Sequence, residues 1–168
     1  MGEVFAGTVD GIDAYIALVS DGTRLIGYVS DGNALSTWFS GTVHGDSIAL
    51  VSRSDDPLGE GTVSGDASGE ILIGGERHPF NAPAVSDTAG LYRAVATNGD
   101  ESVAEAGWIV LENGSQRGAV NIETKRGTDA TVRPARAIDP ADPREVALAG
   151  FGAVPIERVT TVPADWIP

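Results

Sequence analysis

Apolar residues along this chain fall in short runs, and turn signals break them roughly every 8–13 residues. The breaks include Asp10-Gly11, Asp21-Gly22, Asp31-Gly32, His44-Gly45, Gly65-Asp66, Gly74-Gly75, Asn98-Gly99 and Asn113-Gly114. Tight hairpin turns need positive φ, which Gly, Asn and Asp tolerate. Between the breaks, twelve segments rich in Val, Ile, Thr and aromatics read as strands, from Val4–Val9 to Ala130–Ile138. Two of them are short, Gly61–Val63 and Glu70–Ile73. No stripe of helical period competes with them before residue 139. The pattern predicts an all-β, antiparallel, meander-rich fold of about ten to twelve strands. Barrel and sandwich use the same alternation and turns, so the pattern does not choose between them.

One phrase recurs: GTVDG at Gly7–Gly11, GTVHG at Gly41–Gly45 and GTVSG at Gly61–Gly65, each followed by an apolar run. Its spacings of 34 and 20 residues exclude a fixed-period solenoid. The phrase reads as a hairpin unit. Gly-Thr-Val ends one strand, x-Gly turns the chain, and the apolar run begins the next strand. Some strands are apolar on both faces. In AYIALV, Ile16 and Leu18 oppose Tyr15 and Val19; in GWIVL, Trp108 and Val110 oppose Ile109 and Leu111. A strand with one wet face alternates with polar residues. These two therefore require a second cover, supplied by another sheet, the C-terminal segment or another subunit.

The pattern changes after residue 138. Asp142-Pro143-Arg144-Glu145 combines an N-cap residue, a first-turn proline and a reciprocal glutamate, and it predicts a two-turn helix over 143–149 ending at Gly150. The rest is extended and apolar, and Pro155, Pro163 and Pro168 bar it from a central strand. The reading divides the chain into an antiparallel β domain over 1–138 and a segment over 139–168. That segment packs on the same domain or on a neighbouring subunit, with Phe151, Ile156 and Trp166 as anchors.

At 168 residues with 42% hydrophobic composition, the chain buries a core without disulfide or metal. It has no cysteine, hence no disulfide framework, thiolate metal site or cysteine nucleophile. The net charge of −13 disfavours nucleic acid and anionic membrane surfaces as partners. The charge is uneven: residues 1–100 hold 14 acids and 4 bases, residues 101–168 hold 10 and 7. No apolar run approaches the ~18 residues of a membrane helix. The start, MGEVFAGTV, has neither the basic residues nor the apolar core of a signal peptide.

Candidate chemistry is sparse. The two histidines are His44, in a turn, and His78, in a strand-like run where it can face a barrel interior. GDSIA beside His44 is not a nucleophile elbow. Two histidines without a patterned third ligand do not make a zinc site, and no acidic loop has the spacing of a calcium loop. No metal, cofactor or catalytic residue is assigned. Six side chains form the candidate ligand set: Tyr15, Tyr28, Trp38, His78, Tyr92 and Trp108. In a closed barrel, inward aromatics line an apolar cavity; in a sandwich they are core. Trp38 and Phe39 are adjacent and point to opposite faces, so one of them enters a second interface.

The phrases GTVDGIDAYIALVSDGTRLIGYVSDG, WFSGTVHG, HPFNAPAV and AGLYRA resemble modules of uncharacterised actinobacterial exported or envelope-associated proteins, over about residues 5–95. The resemblance implies an extracellular or envelope location and a cysteine near Tyr-Val-x-Asp-Gly, where this chain has Ser30. The residues themselves leave a cytoplasmic location open. The resemblance brings no catalytic residue. The expected function is a non-catalytic binding or structural module of the bacterial surface, with a protein or envelope component as partner and homo-oligomerisation open to it. The alternatives are a calycin-like barrel carrying a small apolar ligand, and a barrel-mouth hydrolase or isomerase using His78 and a carboxylate.

Overall fold

The computed structural model describes residues 2–99, 102–124 and 130–163. Their secondary structure is all β, with no helix. Eight strands form an up-and-down meander: β1 (Glu3–Val9), β2 (Ala14–Ser20), β3 (Arg24–Ser30), β4 (Ser36–His44), β5 (Ser47–Ser52), β6 (Pro57–Ser64), β7 (Asp66–Ile73) and β8 (Glu76–Ala82). Every neighbour is antiparallel, and β8 returns to β1 to close a barrel. The seam is short: Thr8 faces Asn81 and Val9 faces Phe80. It is extended by backbone bonds from Asp10 N–H to Pro79 (2.8 Å), Ala6 N–H to Pro83 (3.1 Å) and Val85 N–H to Val4 (2.9 Å).

The recurring phrase is built as its chemistry requires. β1 ends on its Gly-Thr-Val, β4 and β6 end one residue after it, and Gly11, Gly45 and Gly65 turn the chain at positive φ. The first glycine of the phrase has a second task. Gly7 and Gly41 share the inward parity of Phe5, Val9, Phe39 and Val43, which fill the barrel. A Cβ there would overlap the carbonyl oxygen of Asn81 or Ala49, and one at Gly61 the carbonyl of Ser68. The glycine lets the strand bend tightly against its neighbour, which a small closed barrel demands. Phe5, Ile16, Leu18, Leu25, Phe39, Leu50, Ile71 and Phe80 occupy the interior. An eight-stranded barrel is just wide enough for side chains to fill, and this one is filled.

A second sheet has the order β12 (Ala130–Pro134), β11 (Gln116–Thr124), β10 (Ser102–Val110), β9 (Gly90–Asn98), β15 (Glu157–Val159). It packs on the outside of the barrel. Ala17, Val19, Ile26, Tyr28 and Trp38 from the barrel meet Leu91 and Ile109 from the sheet. This sheet is the second cover that the double-faced strands require. Its far face is in turn covered by a hairpin of β13 (Glu145–Leu148) and β14 (Gly152–Pro155), which place Val146, Leu148 and Val154 against Tyr92, Ala106 and Trp108. Barrel, sheet and hairpin thus stack as three layers.

The structure corrects the sequence reading in two places. Residues 143–149 are not a helix; the hairpin strand β13 occupies most of that span. Val146 and Leu148 are buried while Glu145 and Ala147 are exposed, an alternation of period two. Residues two apart sit on opposite sides of a helix, so a helix could not bury both. Gly150 and Gly152, both at positive φ, supply the hairpin turn. The described residues form fifteen strands rather than ten to twelve. The three extra strands all lie after residue 144, and β6 and β7 run to eight residues each where shorter segments were expected.

Candidate functional site

The aromatic set does not converge on one cavity. Tyr28 and Trp38 are a cross-strand pair between barrel and sheet, with ring centroids 4.3 Å apart. Gly107 makes room for them: a Cβ there would lie 2.7 Å from both rings. The Tyr28 hydroxyl donates to the Ala119 carbonyl (3.3 Å) and accepts from Ser36 Oγ. Burial pushes its phenol up to about 12. Tyr15 lies at the edge of the same layer, under the guanidinium of Arg117 at 4.5 Å. Tyr92 and Trp108 face the other way, into the core beneath the hairpin. The Tyr92 hydroxyl donates to Thr88 (2.7 Å), and burial pushes its phenol up as well. All five rings lie outside the barrel interior.

His78 does carry the inward parity of Phe80 and Ala82, at the barrel end. Its Nδ1 lies 3.0 Å from the Asp10 carbonyl. A carbonyl only accepts, so Nδ1 carries the proton and the ring fastens the first turn to the closing strand. Its Nε2 lies 3.9 Å from the exposed Glu76 carboxylate, beyond hydrogen-bond reach. Among the described residues, no three His, Asp or Glu side chains converge as metal ligands. Ser30, where the resemblance implies a cysteine, is buried, and its Oγ accepts the Gly32 N–H at 2.9 Å. It caps a turn. Phe151 and Ile156 pack within the hairpin core of the same chain; Trp166 lies outside the described residues.

The charged groups that sequence reasoning passed over fall into two sites. The first joins the layers. Glu105 on β10 is 9% exposed and receives Arg53 from the barrel as a two-pronged pair at 2.7 and 2.9 Å. Arg93 on β9 adds bonds of 2.9 and 2.7 Å to the same carboxylate and reaches over the Trp38 ring. Bidentate guanidinium pairs of this kind fix orientation as well as charge.

The second site lies on the far face of the sheet, where the hairpin stops short of β12. A cleft of about 170 Å³ opens there between Val120, Ile122, Ala135, Leu148 and Phe151. Arg133 and Arg136 flank it. Arg133 pairs in register with Val120. Arg136 is held through its carbonyl, which accepts the Trp108 indole N–H at 2.8 Å. Just beyond, the Gln116 side chain pairs both ways with the Ile138 backbone at 2.9 and 3.0 Å. The backbone under both arginines is therefore fixed, while the side chains are exposed.

Arg24, Arg53, Arg77, Arg93, Arg117 and Arg144 each bond to a carboxylate. Arg158 donates to the Ala89 carbonyl. Among the described arginines, only Arg133 and Arg136 have no side-chain partner of either kind. A local signal for this site exists in the sequence: between Arg117 and Arg136, five bases stand against two acids in a chain of net charge −13. Compared with family models, with curated proteins and with solved structures, the chain finds no match.

Proposed function

We propose that this protein is a non-catalytic binding module that engages another protein through its outer surface. The observation that carries this reading is the Arg133–Arg136 cleft. Two cations without an acidic partner flank an apolar opening, while the other described arginines are matched to acids or carbonyls. The filled barrel supports the same reading, since a carried ligand needs an empty interior. The hydrogen bond from His78 to Asp10 gives that ring a structural task. A surface or exterior location, implied by the resemblance of residues 5–95, belongs to the same proposal.

Native mass spectrometry against the denatured mass tests it. The expected result is the bare chain. A small molecule retained natively and released on denaturation would instead support a carrier and overturn the surface-binding reading.

A further inference from the structure

We propose that the partner is an extended acidic peptide segment that adds to the sheet as a strand at the open edge of β12, placing an apolar side chain in the neighbouring cleft. The inference rests on the surface-binding reading above and specifies its partner.

Three independent features meet at this edge. The first is backbone. Among the described residues, β12 ends the sheet order and pairs only with β11. Ala135 N–H bonds to the Gly118 carbonyl at 3.1 Å, just beyond the registered pair Pro134–Ala119. Antiparallel pairs alternate between bonded and non-bonded. The 133–120 and 131–122 pairs are therefore bonded inward, and Val132 turns its N–H and C=O outward. Pro134 shares that outward phase and offers its carbonyl only, which is where an edge strand tolerates proline. Ala130 shares the phase too, so an incoming strand finds N–H donors at Ala130 and Val132 and carbonyl acceptors at Ala130, Val132 and Pro134, the main-chain pattern of strand addition.

The second feature is the cleft. Its volume falls below the roughly 300–1,000 Å³ of small-molecule sites and suits a single apolar side chain. Strand addition places alternate side chains of the guest on one face, where such a pocket reads one of them. The third is charge. Arg133 points to the cleft face of β12 beside Val120, and Arg136 follows three residues later. Acidic residues on the guest two positions before and after the apolar one share its face and would meet both guanidiniums. A free carboxylate-bearing small molecule would satisfy the charge and leave the edge unused.

The test uses the full chain and a defined probe, an acetylated and amidated heptapeptide with leucine at its centre, glutamate two positions to either side of it and threonine elsewhere, so that leucine and both glutamates share one face. Chemical-shift mapping should confine the response to β11, β12 and the 148–151 turn. The lysine-for-glutamate analogue and the double variant R133E/R136E should each weaken binding at least tenfold. A probe N-methylated at the backbone positions facing Val132 should lose binding to a similar degree. Equal affinity of the lysine analogue, no response at millimolar probe, or shifts mapping to another face would each overturn the edge proposal. Shifts on another face would leave the surface-binding reading standing; a ligand retained in native mass spectrometry would remove that reading itself. The two arginines make no side-chain bond to the described residues, so the variant should keep the wild-type spectrum away from the site.

Discussion

Two pairs of arginines in this molecule share a side-chain chemistry and differ in what surrounds them. Arg53 and Arg93 converge on Glu105 at the junction of barrel and sheet, with four bonds of 2.7–2.9 Å to one carboxylate. Arg133 and Arg136 flank an apolar cleft on the opposite face of the same sheet and meet no acid among the described residues. The first pair spends its hydrogen-bonding capacity inside the fold. The second keeps it for something outside. A buried ion pair locks orientation more than it adds stability, whereas an exposed cation beside apolar surface contributes little until a partner desolvates it. Burial of the shared acid therefore separates a structural arginine from a recognition arginine better than the arginine's own exposure does.

Glu105→Ala breaks this contrast most severely. It leaves two guanidiniums at the layer junction without their carboxylate, and the expected loss is about 3 kcal/mol. For a chain of this size that lowers Tm by roughly 6–12 °C. A double-mutant cycle with Arg53→Ala should return a coupling of about 1–2 kcal/mol, because Arg53 is 46% exposed and solvent screens part of the pair. A coupling near zero would show that the bridge does not hold the layers. Gly107→Ala probes the same junction through packing. Its methyl would press on Tyr28 and Trp38, and the expected cost is about 2 kcal/mol by chemical denaturation.

Proton linkage comes next in size and acts at both ends of the scale. Tyr28 is raised from 10.0 to about 12 because burial disfavours its phenolate. A raised folded value means stability that is whole below about pH 10 and is lost as pH climbs toward 12. Tyr28→Phe should remove that part of the alkaline loss. In acid, burial pushes the Asp31 carboxyl up, but N–H donors from Leu35, Asn33 and Ala34 outweigh it and hold it low. Arg24 and Thr23 N–H groups hold Asp21 low in the same way. A lowered folded value means stability present above the ordinary value of 3.8 and lost as pH falls below it. Exchanging both for Asn should flatten the acid limb of a stability–pH curve.

The strands and turns of the barrel half were legible because their rules are local, while closure into a barrel rather than a sandwich was not. The Ser-Asp-Gly turns at 20–22 and 30–32 announce hairpins, and the doubled apolar faces of β2 and β10 announce a second layer. The limits of β6 and β7 were not legible. Gly59, Gly61 and Gly69 lower strand propensity, yet the tight β6–β7 approach requires residues without a Cβ. The C-terminal helix expectation failed because a valid capping sequence outweighed a two-residue alternation that acquires meaning only against the sheet it covers. The aromatics named as candidate ligand residues are instead core between layers, since strand parity alone does not say which layer a face meets. Neither arginine pair was read from the sequence, although the excess of bases over 117–136 marks the region of the second. Arg53 and Glu105 stand 52 residues apart, and pairing across layers is a property of the closed barrel. Arg133 and Arg136 are set apart by what they lack, which only the finished neighbourhood reveals.

The smallest stability effect is the sharpest discriminator between the two pairs. Replacing Arg133 and Arg136 together by Glu removes no hydrogen bond and no ion pair among the described residues, so unfolding free energy should move by no more than about 0.5 kcal/mol. Net charge falls by four from −13, which adds a weak general repulsion that salt screens. Comparing the variant at low and high salt separates that repulsion from a specific contact: the former fades as ionic strength rises, the latter persists. A loss above about 1 kcal/mol that persists in high salt would place these arginines among the structural ones, as partners of Glu105 already are. Near-neutrality, beside the large cost of removing Glu105, would show that the same residue type welds one face of the sheet and leaves the other available for recognition.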